Sequence, residues 1–421
     1  MIAWLLISFF VLLFLGVPIA MSLGLSAIGG ILFLGGGSTV TIAQRMFEGM
    51  NSFALLAIPL YTFAGFTMSK GGISKRLMDF CYSIVGHIYG GLAHLNVLSS
   101  MIFAGISGSA VADTAGVSGM FMPEMVRKGY SKNFTVAVTA ISSTIGIIIP
   151  PSIPMVVIAG ICGISTGKLF LGGIIPGVLC GLAQMIVSYF MAKKEGVPKE
   201  PGHFTIGPVL HGLWESWPAL LMPIIIVGTI TMGIVSPTEA GVIAVVYGLF
   251  AGGIIYRELK WEDIKFAFAE TVRTSGRIFI VIGAAKLYTV MLTTAGFDKW
   301  VAKTMLGFST NPTVILIVIL LIFFIVTMFM ESIATLTLFM PILYPIALGV
   351  GINPIVLSVL ITVVIGIGLV TPPVGMCIYV ACDLMDTTVG EVFPTLVPFI
   401  AATFVCIALM VAFPQLILLP T

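Results

Sequence analysis

Along the chain, apolar runs close to twenty residues alternate with short polar breaks. Runs of that length match the hydrocarbon thickness of a bilayer. They fall at 2–37 (two passes or one long broken one), 53–69, 80–100, 101–122, 133–149, 152–190 (two segments), 216–234, 237–256, 277–295, 312–329, 331–349, 354–370, 373–384 and 394–419. The pattern predicts about eleven to fourteen membrane segments, not all of them full crossings. The breaks "SKGGISKR" (69–76), "RKGYSKN" (127–133) and "FDKWVAK" (297–303) are short, while "AKKEGVPKEPGHFTIGPVLHG" (192–212) is a longer Pro/Gly/Lys/Glu connector. In 256–277 charges alternate with Trp261, Ile264, Phe266 and Phe268, which predicts a helix lying along the membrane surface.

Two apolar runs are interrupted by paired prolines, "IIPPSIPM" (148–155) and "LVTPPVGM" (369–376). A shift of 222 residues lays Pro150-Pro151 on Pro372-Pro373, Gly146 on Gly368 and Pro176 on Pro398. With a small gap upstream, "FMP" at 121–123 meets "FMP" at 339–341, and Asp113 falls on Glu331. "GGISK" (71–75) resembles "AGFDK" (295–299), and Pro18 falls near Pro237. Matches in this order predict a duplication: a first repeat at 1–191, a connector at 192–215 and a second repeat at 216–421. Interrupted apolar segments at matching positions of two halves point to a secondary transporter and its binding site.

Composition narrows the class. The 421 residues are 59% hydrophobic and 9% charged, with mean hydropathy +1.17, against roughly 25% charged in a soluble domain. The solvent is therefore largely lipid. The net charge of +2 says nothing about nucleic acid, and without a basic cluster interleaved with aromatics no nucleic-acid partner is expected. Six cysteines lie mostly in apolar runs with no CxxC, and read as small hydrophobes. The N-terminus has no cationic stretch before its apolar run, so it reads as a retained membrane segment. No phosphate loop, HExxH or GxSxG is present, so no enzyme, cofactor or ATPase is expected.

A broken helix in hydrocarbon leaves carbonyls and N–H groups without partners, tolerable only in protein or beside a cavity. Hard cations take oxygen ligands, and small residues let them approach the backbone. Gly146, Pro150, Pro151 and Ser152 supply these features in the first half. In the second, Gly366, Gly368, Thr371, Pro372, Pro373 and Gly375 do so. A polar island precedes each break: "FAGISGSAVADTAG" (103–116) and "FFIVTMFMESIATLT" (323–337). Each reads as a tight re-entrant turn. Asp113 and Glu331 are carboxylates among apolar neighbours, a functional-site hypothesis by default. Their candidate roles are sodium ligand, proton carrier or cap of the returning helix. Lys286, the basic residue deep in its run, either snorkels or neutralises an anion.

"GVPIAMSLG" (16–24), "IPLYTFAG" (58–65), "FAGISGSAVAD" (103–113), "IGIIIPPSIPM" (145–155), "SPTEAG" (236–241) and "GLVTPPVGM" (368–376) together resemble the large permease subunit of the tripartite ATP-independent periplasmic (TRAP) transporters. The resemblance implies an all-α polytopic protein of the bacterial inner membrane. It implies two inverted repeats with two re-entrant hairpins, and a scaffold (about 1–80 and 216–305) carrying an elevator-type transport domain (about 81–191 and 306–421). It implies sodium-driven uptake of a small organic anion such as a dicarboxylate, sialic acid or another sugar acid. The partners would be a periplasmic binding protein and a small four-helix membrane subunit, expected as a separate chain. Carried onto this sequence, it implies sodium ligands at Ser107, Gly108, Gly146, Pro150, Met330, Gly366, Thr371 and Pro372. The anion, between the hairpin tips, would meet Ser109, Ser152, Thr327, Pro373 and Gly375, and sodium would offset its charge without a fixed arginine. One departure is the stretch Ala110-Val111-Ala112-Asp113-Thr114, where the family usually continues with small or hydroxyl side chains. Alternatives are a proton-coupled or stand-alone organic-anion transporter, an ion channel, and a membrane enzyme using Asp113 and Glu331.

Overall fold

The computed structural model describes residues 1–34, 40–197 and 205–421, and every regular element among them is helical. The first repeat holds α1 (Ile2–Phe14), α2 (Ile19–Leu34), α3 (Val40–Met50), α4 (Ala57–Lys70), α5 (Ile73–Val85), α6 (Gly91–Ser107), α7 (Ala110–Arg127), α8 (Lys132–Ser143), α9 (Ile153–Cys162) and α10 (Thr166–Glu195). The second holds α11 (Ile206–Thr231), α12 (Pro237–Phe250), α13 (Trp261–Thr294), α14 (Phe297–Phe308), α15 (Pro312–Thr327), α16 (Ser332–Gly349), α17 (Pro354–Gly368), α18 (Met376–Asp383), α19 (Val389–Ala412) and the short α20 (Gln415–Leu418).

Local chemistry sets these boundaries in pairs. Ser131 caps α8, and its counterpart Asn353 caps α17. Just before them, Gly129 and Gly351 take left-handed turns at φ 90° and 85°, a conformation that costs glycine little. The peptide bonds Pro150-Pro151 and Pro372-Pro373 are both cis. At α12, Ser236 and Glu239 form a capping box, with Pro237 at the first helical position. In each repeat a hairpin (α6–α7, α15–α16) precedes a broken helix (α8–α9, α17–α18) and a long closing helix (α10, α19). The repeats interlock, because α9 packs on α16 while α18 packs on α7 and α8. This is the inverted-repeat, two-hairpin architecture that the family resemblance implies.

A large apolar cluster runs through the hairpins, the broken helices and the closing helices. A second joins Leu5, Leu23 and Tyr288 of the scaffold to Met330, Ala334 and Leu338 of the second hairpin. The scaffold grips the two hairpins differently. It meets the first through α6, which packs on α4, α5 and α11, and the second through α16, which packs on α13.

Among the described residues, seven helices are long and apolar enough to cross a bilayer and six others are apolar but shorter, within the eleven to fourteen segments expected, not all of them full crossings. Several other expectations need correction. The stretch 256–277 is not a separate surface helix, since α13 is one 34-residue helix from Trp261 to Thr294. No proline interrupts it, and at about 51 Å it exceeds a hydrocarbon core of roughly 30 Å, so its charged first half projects beyond the apolar layer. The scaffold boundaries expected near 80 and 305 fall inside α5 and α14. The connector shrinks, because α10 runs to Glu195 and α11 begins at Ile206; residues 198–204 lie outside the described set. The gap placed upstream is not needed. Ser109 and Glu331 both stand at the N-cap of the returning hairpin helix, so Asp113 pairs with Thr335 and Pro123 with Pro345 on the unbroken shift. The repeated "FMP" misled because both hairpins carry prolines at similar depth.

Candidate functional site

Each hairpin tip is tied to the broken helix of its own repeat by one backbone bond. The Ile153 N–H donates to the Gly108 carbonyl at 3.2 Å, and the Val374 N–H donates to the Met328 carbonyl at 2.9 Å. The prolines explain why such ties are needed. Pro150 and Pro151 have no N–H to give the carbonyls of Gly146 and Ile147 four residues earlier. The Ser152 hydroxyl donates to the Ile147 carbonyl at 2.5 Å and also accepts from the Met155 N–H at 3.3 Å, restarting the helix. In the second repeat the Cys377 N–H reaches back to the Leu369 carbonyl at 2.9 Å. The Thr371 N–H reaches Gly368 at 3.2 Å.

Glycine permits the close approaches. A Cβ on Gly146 would lie 3.1 Å from Asp113 Oδ2, so the carboxylate sits against the first break. A Cβ on Gly366 would lie 3.2 Å from Thr144 Cβ, where the repeats meet. Gly108, at φ +64°, would bring a Cβ to 2.7 Å from the Pro151 carbonyl oxygen. Gly375, at φ +38°, stands within the second break and would bring a Cβ to 3.0 Å from Thr371 O. Behind the tips, Thr114 donates to Ser143 at 2.6 Å. Cys377 lies beside both hydroxyls and close to the carboxylates of Asp113 and Glu331.

A cavity of about 280 Å³ lies between the tips. Its lining includes Gly108, Ser109, Ile147, Ile153, Glu331 and Met376, with Thr274, Arg277, Ile278 and Val281 of α13 forming the scaffold wall. Of the anion contacts expected from sequence, Ser109 lines this space. Ser152 is fully buried beneath it, Thr327 spends its hydroxyl on the Phe323 carbonyl at 2.6 Å, and Pro373 lies exposed on the second break. Of the expected sodium ligands, Gly108 is at the tip and Gly146, Pro150, Gly366, Thr371 and Pro372 are at the two breaks. The Thr371 hydroxyl donates to the Ile367 carbonyl at 2.7 Å. Met330 is buried, packed in the cluster shared with the scaffold. The Ser107 side chain lies outside the described residues. Among the described residues no His/Cys/Asp/Glu group is arranged to hold a metal ion, so a cation here would rely on carbonyl and hydroxyl oxygens.

Of the roles open to Glu331, capping is the one it visibly fills: its carboxylate accepts from the Ile333 and Ala334 N–H groups at 3.0 and 3.4 Å. On α7 that cap is Ser109, which accepts from the Ala112 N–H at 3.4 Å, and Asp113 sits in the first helical turn. Lys286 is exposed, its stem packed near Gly49. The hairpin and broken-helix segments at the site carry no arginine, as expected, but Arg277 lines the cavity from α13. The signal was present in the sequence, since Arg277 is the last charge before the run 278–285. Reading 256–277 as a separate surface helix hid it.

Comparison with known proteins agrees with this geometry. Residues 6–416 match the family described as tripartite ATP-independent periplasmic transporter, DctM component. The isethionate TRAP transporter permease protein DctMQ of Oleidesulfovibrio alaskensis is 37% identical over 93% of this chain, which spans 62% of that protein. The sialic acid TRAP transporter large permease protein SiaM of Vibrio cholerae is 35% identical, over 97% of this chain and 95% of its own length. The C4-dicarboxylate TRAP transporter large permease protein DctM of Pseudomonas aeruginosa is also 35% identical, over 93% and 92%. Among solved structures, the Alcanivorax borkumensis YdaH transporter aligns with TM-score 0.60 at 13% identity, covering 90% of this chain and 88% of that one. The chain therefore belongs to the tripartite ATP-independent periplasmic transporter family as a DctM-type large permease component, a multi-pass protein of the bacterial inner membrane and not an enzyme.

Proposed function

We propose that this permease takes up a small organic acid anion, delivered by a periplasmic binding protein, using a sodium gradient and an elevator movement of its hairpin domain. A small membrane subunit supports the scaffold. The relatives' substrates, isethionate, sialic acid and C4-dicarboxylates, share anionic character, which suits a cavity with a cation on its wall. The observation that carries the reading is the backbone tie between hairpin tip and broken helix, made in each repeat. Sodium bound among the carbonyls of Gly108, Gly146 and Gly366 would order these backbones before the anion enters. Only a domain with its polar groups satisfied crosses cheaply, because unpaired groups are costly in hydrocarbon. The unequal grip of the scaffold on α6 and α16 supports an elevator caught at one end of its travel.

The test is uptake into proteoliposomes by the complete complex with its binding protein. Accumulation should follow an inward sodium gradient and vanish when potassium replaces sodium. Uptake that persists in potassium would sink the coupling. The second reading is proton coupling, favoured by two carboxylates beside the hairpin tips, Asp113 against the first break and Glu331 on the cavity lining. It predicts accumulation driven by a pH gradient alone.

A further inference from the structure

Arg277 has no place in the ion sites, the caps or the apolar packing. It is exposed, and it faces the cavity from α13 together with Thr274, Ile278 and Val281, one stripe of that helix. Among the described residues no carboxylate pairs with it, whereas Arg45, Arg76, Arg127 and Arg273 each hold one. The one carboxylate on the same cavity lining, Glu331, is occupied by the α16 N-terminus. A guanidinium is always charged and presents a planar fork that fits a carboxylate or sulfonate. Apart from Ile19 of α2, the rest of the cavity wall belongs to the hairpins and broken helices, whereas α13 packs on α2, α3 and α4 and belongs to the scaffold.

We propose that Arg277 is a one-sided anion station: it binds the carboxylate or sulfonate of the substrate on the face where this cavity opens and stays behind when the hairpins carry the substrate across. The inference rests on the transport reading above. Its consequence is asymmetric affinity, with the substrate held more tightly at one face than at the other. Sodium coupling does not pass through Arg277.

The experiment measures flux in both directions through the complete complex, reconstituted in one orientation, with succinate, sialic acid and isethionate as probes. For whichever probe the wild type carries, Arg277→Gln should raise KM about tenfold from one face, a factor in keeping with losing one charge-assisted pair. KM from the other face and half-saturating sodium should not change. Arg277→Lys should lie between. If Arg277→Gln fails to fold, Arg277→Cys labelled with a cationic thiol reagent should recover the low KM, and an anionic reagent should not restore it. Equal KM shifts from both faces, or none, overturn the one-sided station while leaving the transport reading intact. A wild type that carries none of the probes overturns that reading, and the station with it.

Discussion

Gly368 leaves no room for a side chain. A Cβ there would lie 2.6 Å from the Thr327 Cβ, a branched carbon fixed to its backbone. Gly368→Val should cost about 1–3 kcal/mol through overpacking, read as a lowered Tm of the purified protein. Gly146→Ala meets a softer obstacle, since its methyl would press on Asp113 Oδ2 at 3.1 Å and a carboxylate can swing away. The fold should survive with little change in Tm, while uptake falls severalfold because the carboxylate has left the break. Near-equal losses of Tm in the two variants would refute this contrast. Ser152→Ala removes the donor to the Ile147 carbonyl. Leaving that buried acceptor unpaired should cost about 1–3 kcal/mol, read as a lowered Tm.

The two hairpins differ most in what lies between their helices. Asn96 of α6 donates to Thr139 of α8 at 2.7 Å and accepts from Ser142 at 2.9 Å, and Ser100 donates to Ser142 at 3.1 Å. On the repeat shift the counterparts in α15 and α17 are Val318, Ile361, Val364 and Ile322, all apolar. The first pair of helices is held by a buried polar seam, the second by packing alone. Asn96→Val should therefore destabilise by about 1–3 kcal/mol, because Thr139 and Ser142 are left without their partner. Adding Thr139→Ile and Ser142→Val should recover part of that loss, a non-additivity that a thermal melt of the series would reveal. The seam also shows where sequence reading reached its limit. The proline pairs and polar islands were legible because they violate the rules of a buried helix locally. Asn96, Thr139 and Ser142 violate none by themselves, since the bonds that join them span 43 to 46 residues. Arg277 was hidden for the same reason, as its cavity is built by hairpin tips remote from it in the chain. The Asp113–Glu331 pairing failed because equivalence is set by cap geometry, and "FMP" is only a coincidence of letters.

At the scale of the molecule, the two repeats meet the scaffold on unequal terms, and that inequality can be trapped. Cys81 of α5 lies beside Ser99 of α6. Ser99→Cys should create a thiol pair across the boundary between scaffold and transport domain. Mercuric ion should then block uptake in the variant, dithiothreitol should restore it, and the wild type should be spared. A variant that transports normally while cross-linked would exclude sliding at this boundary. On the other side, α15 packs on α16 and α17 and turns Ile317, Leu321 and Ile325 outward, at 52%, 53% and 48% exposure. Near it in the chain, α14 shows Trp300, Leu306 and Phe308 outward as well. On the 222-residue shift, the counterparts of Cys81 and Ser99 are Lys303 of α14 and Leu321 of α15. The oily stripe on α15 then has a meaning beyond lipid contact. On the elevator movement proposed above, it would be the face that the second hairpin turns toward the scaffold at the other end of travel.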